Sequence, residues 1–289
     1  MHKKITMVVL ILLASFGAQA EPVKTKFQKL TVNANFIEAE DKTAPFYLIL
    51  HGTWAWQGME LIVSTQELLE EESVGSLAFT LSLGIDDRKG FLGCPGNITA
   101  IHQQSYKELH HWYQYLTKIG YSNIILMSHS RGGSQAAGYA NTYPKDKIQK
   151  LVLLAPLAWD KKSAHQQYHE KSSVPLKSLL GLAKIMQPQQ IMKSVDLLYC
   201  KKQNVTAETF LSYYSDSIER NTWDLVKNLP IPIVIFLGSE DPISTVFAKS
   251  IVDKKLPVTL KVQTIEGADH FFRDLYLEDI IESLLEDIE

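Results

Sequence analysis

Residues 124–133 read Ile124-Ile125-Leu126-Met127-Ser128-His129-Ser130-Arg131-Gly132-Gly133. The apolar start predicts a buried strand over Ile124 to Met127, and the small-residue-rich stretch Gly132 to Tyr143 predicts a helix. Between them, small-x-Ser-x-Gly puts Ser130 on a sharp strand-to-helix turn that pushes its Oγ outward above a sheet edge. Small residues are needed two places before and after the serine because strand and helix backbones approach each other there. The first of those places is Ser128 rather than Gly, a departure still within the size limit. The N–H of Arg131, at the start of the helix, would point where negative charge develops, and the helix dipole favours charge of that sign. The bland alternative, a serine that only caps a helix, fits the strand before it and the glycine pair after it less well.

Outward from this turn, apolar runs alternate with helical patterns. Phe46 to Leu50 ends in His51-Gly52, and Ser76 to Leu83, Leu151 to Ala155, Ile231 to Leu237 and Val258 to Ile265 read as further strands. Met59 to Glu72, Gln104 to Ile119 and Leu275 to Ile288 read as helices; Leu109, Trp112, Tyr113 and Leu116 lie on one face of the second. Strands that are apolar on both sides and alternate with helices predict a doubly wound, mostly parallel α/β sheet. From Leu157 to Asn228 no clear buried strand occurs. That stretch, about 157–228, is expected to be a helical lid over the carboxyl edge of the sheet within one domain, 21–289.

A serine hydroxyl needs a base to take its proton. Of nine histidines, His270 stands out because Gly267-Ala268-Asp269-His270 follows a strand and precedes the last helix. Asp241, in Gly238-Ser239-Glu240-Asp241-Pro242, lies just past a strand end and is the expected carboxylate partner. Glu240 beside it and Asp160 after an earlier strand are contenders. His129, Trp54 and Trp56 are candidates for the substrate pocket, or for packing beneath the lid. Tyr213, Tyr214 and Trp223 would contact an apolar or sugar-like group if they do not belong to a core. Arg88 would bind a substrate anion or form a surface ion pair.

With these residues placed, the chain resembles the α/β-hydrolase superfamily over nearly all of its length after residue 20. The likeness rests on His51-Gly52, the Ser130 turn, the Asp241 loop and the His270 loop, in the family's order of Ser, Asp, His. It implies acyl transfer from a small-molecule or lipid-like carboxylic ester, with Ser130 as nucleophile, His270 as base and Asp241 as orienting acid. It also implies an oxyanion hole of the backbone N–H groups of Arg131 and Thr53, with Trp54 as the alternative to Thr53, and no metal or organic cofactor. A peptidase or amidase of the same fold, and an inactive fold used for binding, are the competing expectations.

The composition narrows the field further. With 29 Lys plus Arg against 32 Asp plus Glu, the formal charge is −3, which gives no electrostatic footprint for nucleic acid. Met1 to Ala20 shows two lysines, an apolar run from Ile5 to Phe16 and a small-x-small end at Ala18-Gln19-Ala20, the pattern of an export signal cut after Ala20. The run is shorter than the roughly 20 residues a membrane-spanning helix needs, so no stable membrane anchor is expected after cleavage. The mature protein is expected to be periplasmic or secreted. In an oxidising compartment Cys94 and Cys200 either bridge or remain two buried thiols, a choice that spacing alone leaves open.

Overall fold

A computed structural model describes residues 20–217 and 220–286; the segment expected to be an export signal, 1–20, lies outside the described residues except for its last position. The chain opens with β1 (Glu21–Phe27) and β2 (Leu30–Ile37), an antiparallel hairpin. Then come β3 (Phe46–Leu50), α1 (Glu60–Glu71), β4 (Ser76–Thr80) and the short β5 (Asn97–Ile98). They are followed by α2 (Gln104–Lys118), β6 (Ile124–His129), α3 (Arg131–Thr142) and β7 (Ile148–Leu154). An inserted segment holds α4 (Lys161–Lys171), α5 (Leu176–Ile185), β8 (Ile191–Leu197), β9 (Cys200–Thr206), α6 (Ala207–Tyr214) and α7 (Thr222–Val226). The sheet resumes with β10 (Ile233–Gly238), α8 (Pro242–Ile251) and β11 (Leu260–Ile265), and α9 (Tyr276–Glu286) follows.

Eight strands form one sheet in the order β1-β2-β4-β3-β6-β7-β10-β11. Pairing is parallel from β4 to β11 and antiparallel where β1 and β2 extend the edge. Every residue of β3, β4, β6 and β10 is buried, because helices cover both faces. Leu109, Trp112 and Leu116 of α2 and Ala136, Ala137 and Tyr139 of α3 pack on one face. Leu61, Ile62 and Leu69 of α1 and Ile280, Ile281 and Leu284 of α9 pack on the other. Each large aliphatic side chain so buried contributes about 1.5–3 kcal/mol, far more than local backbone preference, so the pattern fixes both faces as interior. Among the described residues no helix is long and apolar enough to cross a membrane.

The chain runs from β3 outward to β4 and then returns past β3 to β6, so the direction of winding reverses between β3 and β6. Leu50 of β3 pairs with Ser128 of β6, and the turns that leave these two strands emerge side by side at the carboxyl edge. Ligands of open α/β sheets bind at such a reversal.

The inserted segment does lie between β7 and β10, but it is not wholly helical. Strands β8 and β9 form an antiparallel hairpin, and β5 adds to β9 as a third strand. These strands bury one face only, so their sequences mix apolar residues with outward Lys, Asp and Asn, which removes the apolar run by which a buried strand is read. The cap has its own core, in which Leu197, Val205, Phe210 and Tyr213 pack with Tyr168 and Leu176. Cys94 and Cys200 are joined by a disulfide, with Cα atoms 5.4 Å apart. It ties the long β4–α2 connection to β9.

Candidate active site

Ser130 caps α3 with φ 54° and ψ −121°, a left-handed conformation rarely adopted by residues with a Cβ. Its N–H donates to the carbonyl of Leu154 at 2.8 Å, which locks the turn to the end of β7. The following helix is pressed against the β3 turn. A Cβ at Gly132 would sit 2.7 Å from the carbonyl oxygen of His51, so only glycine lets the two backbones meet. Ser128, the departure from glycine noted in the sequence, is accommodated: it is buried, and its hydroxyl has no hydrogen-bond partner among the described residues.

The hydroxyl of Ser130 donates to His270 Nε2 at 3.1 Å, and His270 Nδ1–H donates to Asp241 Oδ2 at 2.8 Å. Both bonds fit one neutral tautomer of the imidazole. Asp241 is buried at the start of α8 and also accepts from the Ile243 N–H at 2.8 Å, the Ser244 N–H at 3.0 Å and the Ser244 hydroxyl at 2.6 Å. Burial works against its ionisation, yet the bonds from Ser244, His270 and Ile243 outweigh burial and hold the carboxyl below its ordinary value. Glu240 is exposed, and the Asp160 side chain caps α4 by accepting from the Ser163 N–H at 2.7 Å. Of the three acids, Asp241 is the one bonded to His270.

Ser130, Arg131 and Thr53 edge a cavity of about 370 Å³ roofed by the inserted segment. Among the described residues neither the Thr53 N–H nor the Arg131 N–H has a hydrogen-bond acceptor, so both are free for an oxygen held near Ser130 Oγ. Tyr213 and Tyr214 line the same cavity.

Several expected pocket residues lie elsewhere. Trp54 is buried under the cap, donating from Nε1 to the Tyr213 hydroxyl at 3.0 Å and meeting Tyr199 and Tyr213 edge-on. The Trp56 ring folds back over Gly58 and takes no part in the cavity wall. Trp223 belongs to the main core. His129 is buried behind the site, where its Nε2–H donates to the His270 carbonyl at 2.9 Å. Its ring stands 4.7 Å from that of His270. Burial, with His270 adding, lowers its pKa to about 3, so the ring is neutral and braces the His270 loop. Large aromatic rings near a site are more often consumed by packing than by ligands, and nothing local in the sequence marks the difference.

Arg88 is neither a substrate ligand nor a surface ion pair. It is buried, and all five N–H donors are used. Nε donates to the Leu81 carbonyl at 2.6 Å and Nη1 to those of Gly90 at 2.8 Å and Trp54 at 3.3 Å. Nη2 donates to the Ala55 carbonyl at 2.6 Å and to His51 Nε2 at 3.4 Å. His51 in turn donates from Nδ1 to the Gly52 carbonyl at 2.8 Å and accepts the Leu81 N–H at 3.1 Å. Burial, then Arg88, lowers its pKa to about 3. Together the two side chains fix the turn that carries Thr53.

The family model described as serine aminopeptidase, S33 matches residues 102–273, a span that contains Ser130, Asp241 and His270. The chain has no match among curated protein sequences. Solved structures with the same fold include Est1E from Butyrivibrio proteoclasticus with ferulic acid bound, at 20% identity and TM-score 0.61, covering 91% of this chain and 96% of that one. A monoacylglycerol lipase from Paleococcus ferrophilus is 17% identical at TM-score 0.61, covering 89% and 98%. The α/β hydrolase GrgF from Penicillium sp. sh18 is 14% identical at TM-score 0.62, covering 92% and 96%. Fold, strand order and the matched span together place the chain: it belongs to the serine aminopeptidase S33 family of α/β hydrolases.

Proposed function

We propose that this chain is an exported serine hydrolase that transfers the acyl group of a carboxylic ester first to Ser130 and then to water. The observation that carries this reading is the unbroken hydrogen-bonded line from Ser130 through His270 to Asp241 at the mouth of a cavity. In this scheme Ser130 Oγ attacks the carbonyl carbon as its proton passes to His270 Nε2, and Asp241 stabilises the imidazolium. The oxyanion accepts the N–H groups of Arg131 and Thr53; losing one such donor typically costs about 3–4 kcal/mol. His270 then protonates the departing oxygen, and water repeats the sequence on the acyl-enzyme. Esters are favoured over amides because an alkoxide leaves more readily than an amine. Est1E and the monoacylglycerol lipase, which share the fold, support that class. The S33 description supports a peptidase as the second reading. The disulfide between Cys94 and Cys200 supports export into an oxidising compartment, with the leader cut after Ala20.

A fluorophosphonate probe is expected to label the wild type and to spare Ser130→Ala. Asp241→Asn is expected to lower kcat by about 10⁴-fold while the fold persists, because the imidazole loses its correct tautomer. p-Nitrophenyl esters are expected to turn over and aminoacyl-anilides are not. Turnover of anilides alone would move the assignment to the peptidase reading. An unlabelled wild type would remove the enzyme reading, and a loss seen in Asp160→Asn instead of Asp241→Asn would mean the acid is misassigned.

A further inference from the structure

Arg131 follows the proposed nucleophile directly, and its side chain reaches into the same cavity. Nε donates to Thr53 Oγ1 at 3.2 Å, and the guanidinium carbon stands 5.3 Å above the Tyr213 ring. Its two terminal nitrogens have no hydrogen-bond acceptor among the described residues, and the group forms no ion pair there. The two acids in the cavity wall are committed elsewhere. Asp160 caps α4, and Asp196 pairs with Lys201 at 2.9 Å and accepts the Lys202 N–H at 3.0 Å. Lys171 adds positive charge to the same wall, Lys201 there is the partner of Asp196, and Arg220 donates to the Ser212 carbonyl at 2.9 Å. A chain whose formal charge is −3 thus lines its cavity with four basic side chains and two acidic ones.

Arg131 is half-buried; withdrawing a cation even partly from water without a counter-ion is costly, and an arginine does not escape by losing its proton. The cation–π contact with Tyr213 offsets part of that cost. The free edge of the guanidinium, formed by its two terminal nitrogens, matches the two oxygens of a carboxylate. We propose that Arg131 binds a carboxylate carried by the ester substrate, so that the preferred substrates are monoesters of dicarboxylic acids or esters of carboxylate-bearing alcohols and phenols. The inference rests on the hydrolase reading and names its substrate class. It also weighs against an aminopeptidase, whose free ammonium group would meet this cation beside the nucleophile.

The test compares substrates matched in size and leaving group. 4-Nitrophenyl hydrogen glutarate is paired with 4-nitrophenyl valerate for a carboxylate on the acyl side. 4-Acetoxybenzoate is paired with its methyl ester, read by release of the acetyl group, for one on the leaving side. In at least one pair the wild type is expected to favour the charged member in kcat/KM by tenfold or more, mainly through KM, and the advantage should shrink as salt is added. Arg131→Gln is expected to lower that ratio at least tenfold, whatever happens to the absolute rates, and Arg131→Lys to keep part of it. The wild-type ratio stands without any variant, so a misfolded Arg131→Gln does not remove the test. Equal or better turnover of the neutral member in both pairs, or a ratio unmoved by Arg131→Gln, overturns the carboxylate assignment and leaves the hydrolase reading intact. No turnover of any member and no fluorophosphonate labelling overturns both.

Discussion

Arg88 illustrates what single residues contribute here. Its donors grip the carbonyls of Trp54 and Ala55 on both sides of one peptide, and Trp54 itself sits at φ 51°. The turn bearing the Thr53 N–H is therefore held from beneath by a charged hydrogen-bond hub and not by its own sequence. A lysine offers three donors from one point and cannot serve carbonyls spread around a planar fork. Arg88→Lys is expected to leave buried carbonyls unpaired, at about 2–4 kcal/mol of stability. It should also lower kcat by roughly 10–100-fold with little change in KM, because the proposed oxyanion contact would be made in the transition state. Steady-state kinetics on the folded fraction check this; a loss of stability with kcat intact would reduce Arg88 to a structural residue. The sequence hid this role because four of its five bonds go to backbone carbonyls brought in by the fold, and the fifth goes to the buried ring of His51. Ser130, His270 and Asp241 were legible because each stands just past the end of a strand, where local order already fixes its place.

At the level of elements, legibility followed burial. The central strands β3, β4, β6 and β10 and the Leu151–Leu154 part of β7 are covered on both faces, so each is read from an apolar run. The β1–β2 hairpin and the β8–β9 hairpin expose one face, and their interspersed polar residues do not declare strands. Their turns give little help: Gln28 and Leu198 take the positive φ that glycine or asparagine usually supplies. The inserted segment, expected to be a helical lid, holds a strand hairpin beside its helices. Its attachment to the body is partly covalent, since the disulfide closes a sequence separation of 106 residues. Cross-linking a loop of that length stabilises by up to about 4–5 kcal/mol through the unfolded chain. Replacing both cysteines by alanine is expected to lower stability by about 2–5 kcal/mol, read by urea denaturation against the oxidised wild type. An unchanged midpoint would show that the cap needs no such tether.

For the whole molecule, three buried groups set how stability varies with pH, and their signs differ. His51 and His129 are neutral in the fold, with pKa lowered to about 3. They favour the native state fully above pH 6.5, and this is lost as the pH falls toward 3, because the unfolded chain takes up protons that the fold refuses. Glu108 behaves oppositely. It accepts from the Ser82 N–H at 2.7 Å and the Ser82 hydroxyl at 2.6 Å, yet burial outweighs these bonds and raises its pKa to about 7. The fold therefore binds a proton that the unfolded chain releases between pH 4.5 and 7. Ionising Glu108 costs on the order of 3 kcal/mol as the pH rises through that window. The two effects oppose each other from pH 6.5 to 4.5. Below that range Glu108 is protonated in both states, and the histidine loss continues together with protonation of Asp241 and of other carboxyls held below their ordinary value, Asp160 and Asp269 among them. With two histidines losing and one glutamate gaining about 1.4 kcal/mol per pH unit each, unfolding free energy is accordingly expected to fall between pH 6.5 and 4.5 at about half the slope it has below. Glu108→Gln should remove the compensation, so that stability declines from pH 6.5 downward without the shoulder. Urea unfolding of both proteins at half-unit steps from pH 4 to 8 measures it. Parallel curves through pH 5–7 would mean that Glu108 does not carry the opposing proton, and that its bonds to Ser82 hold it ionised despite burial.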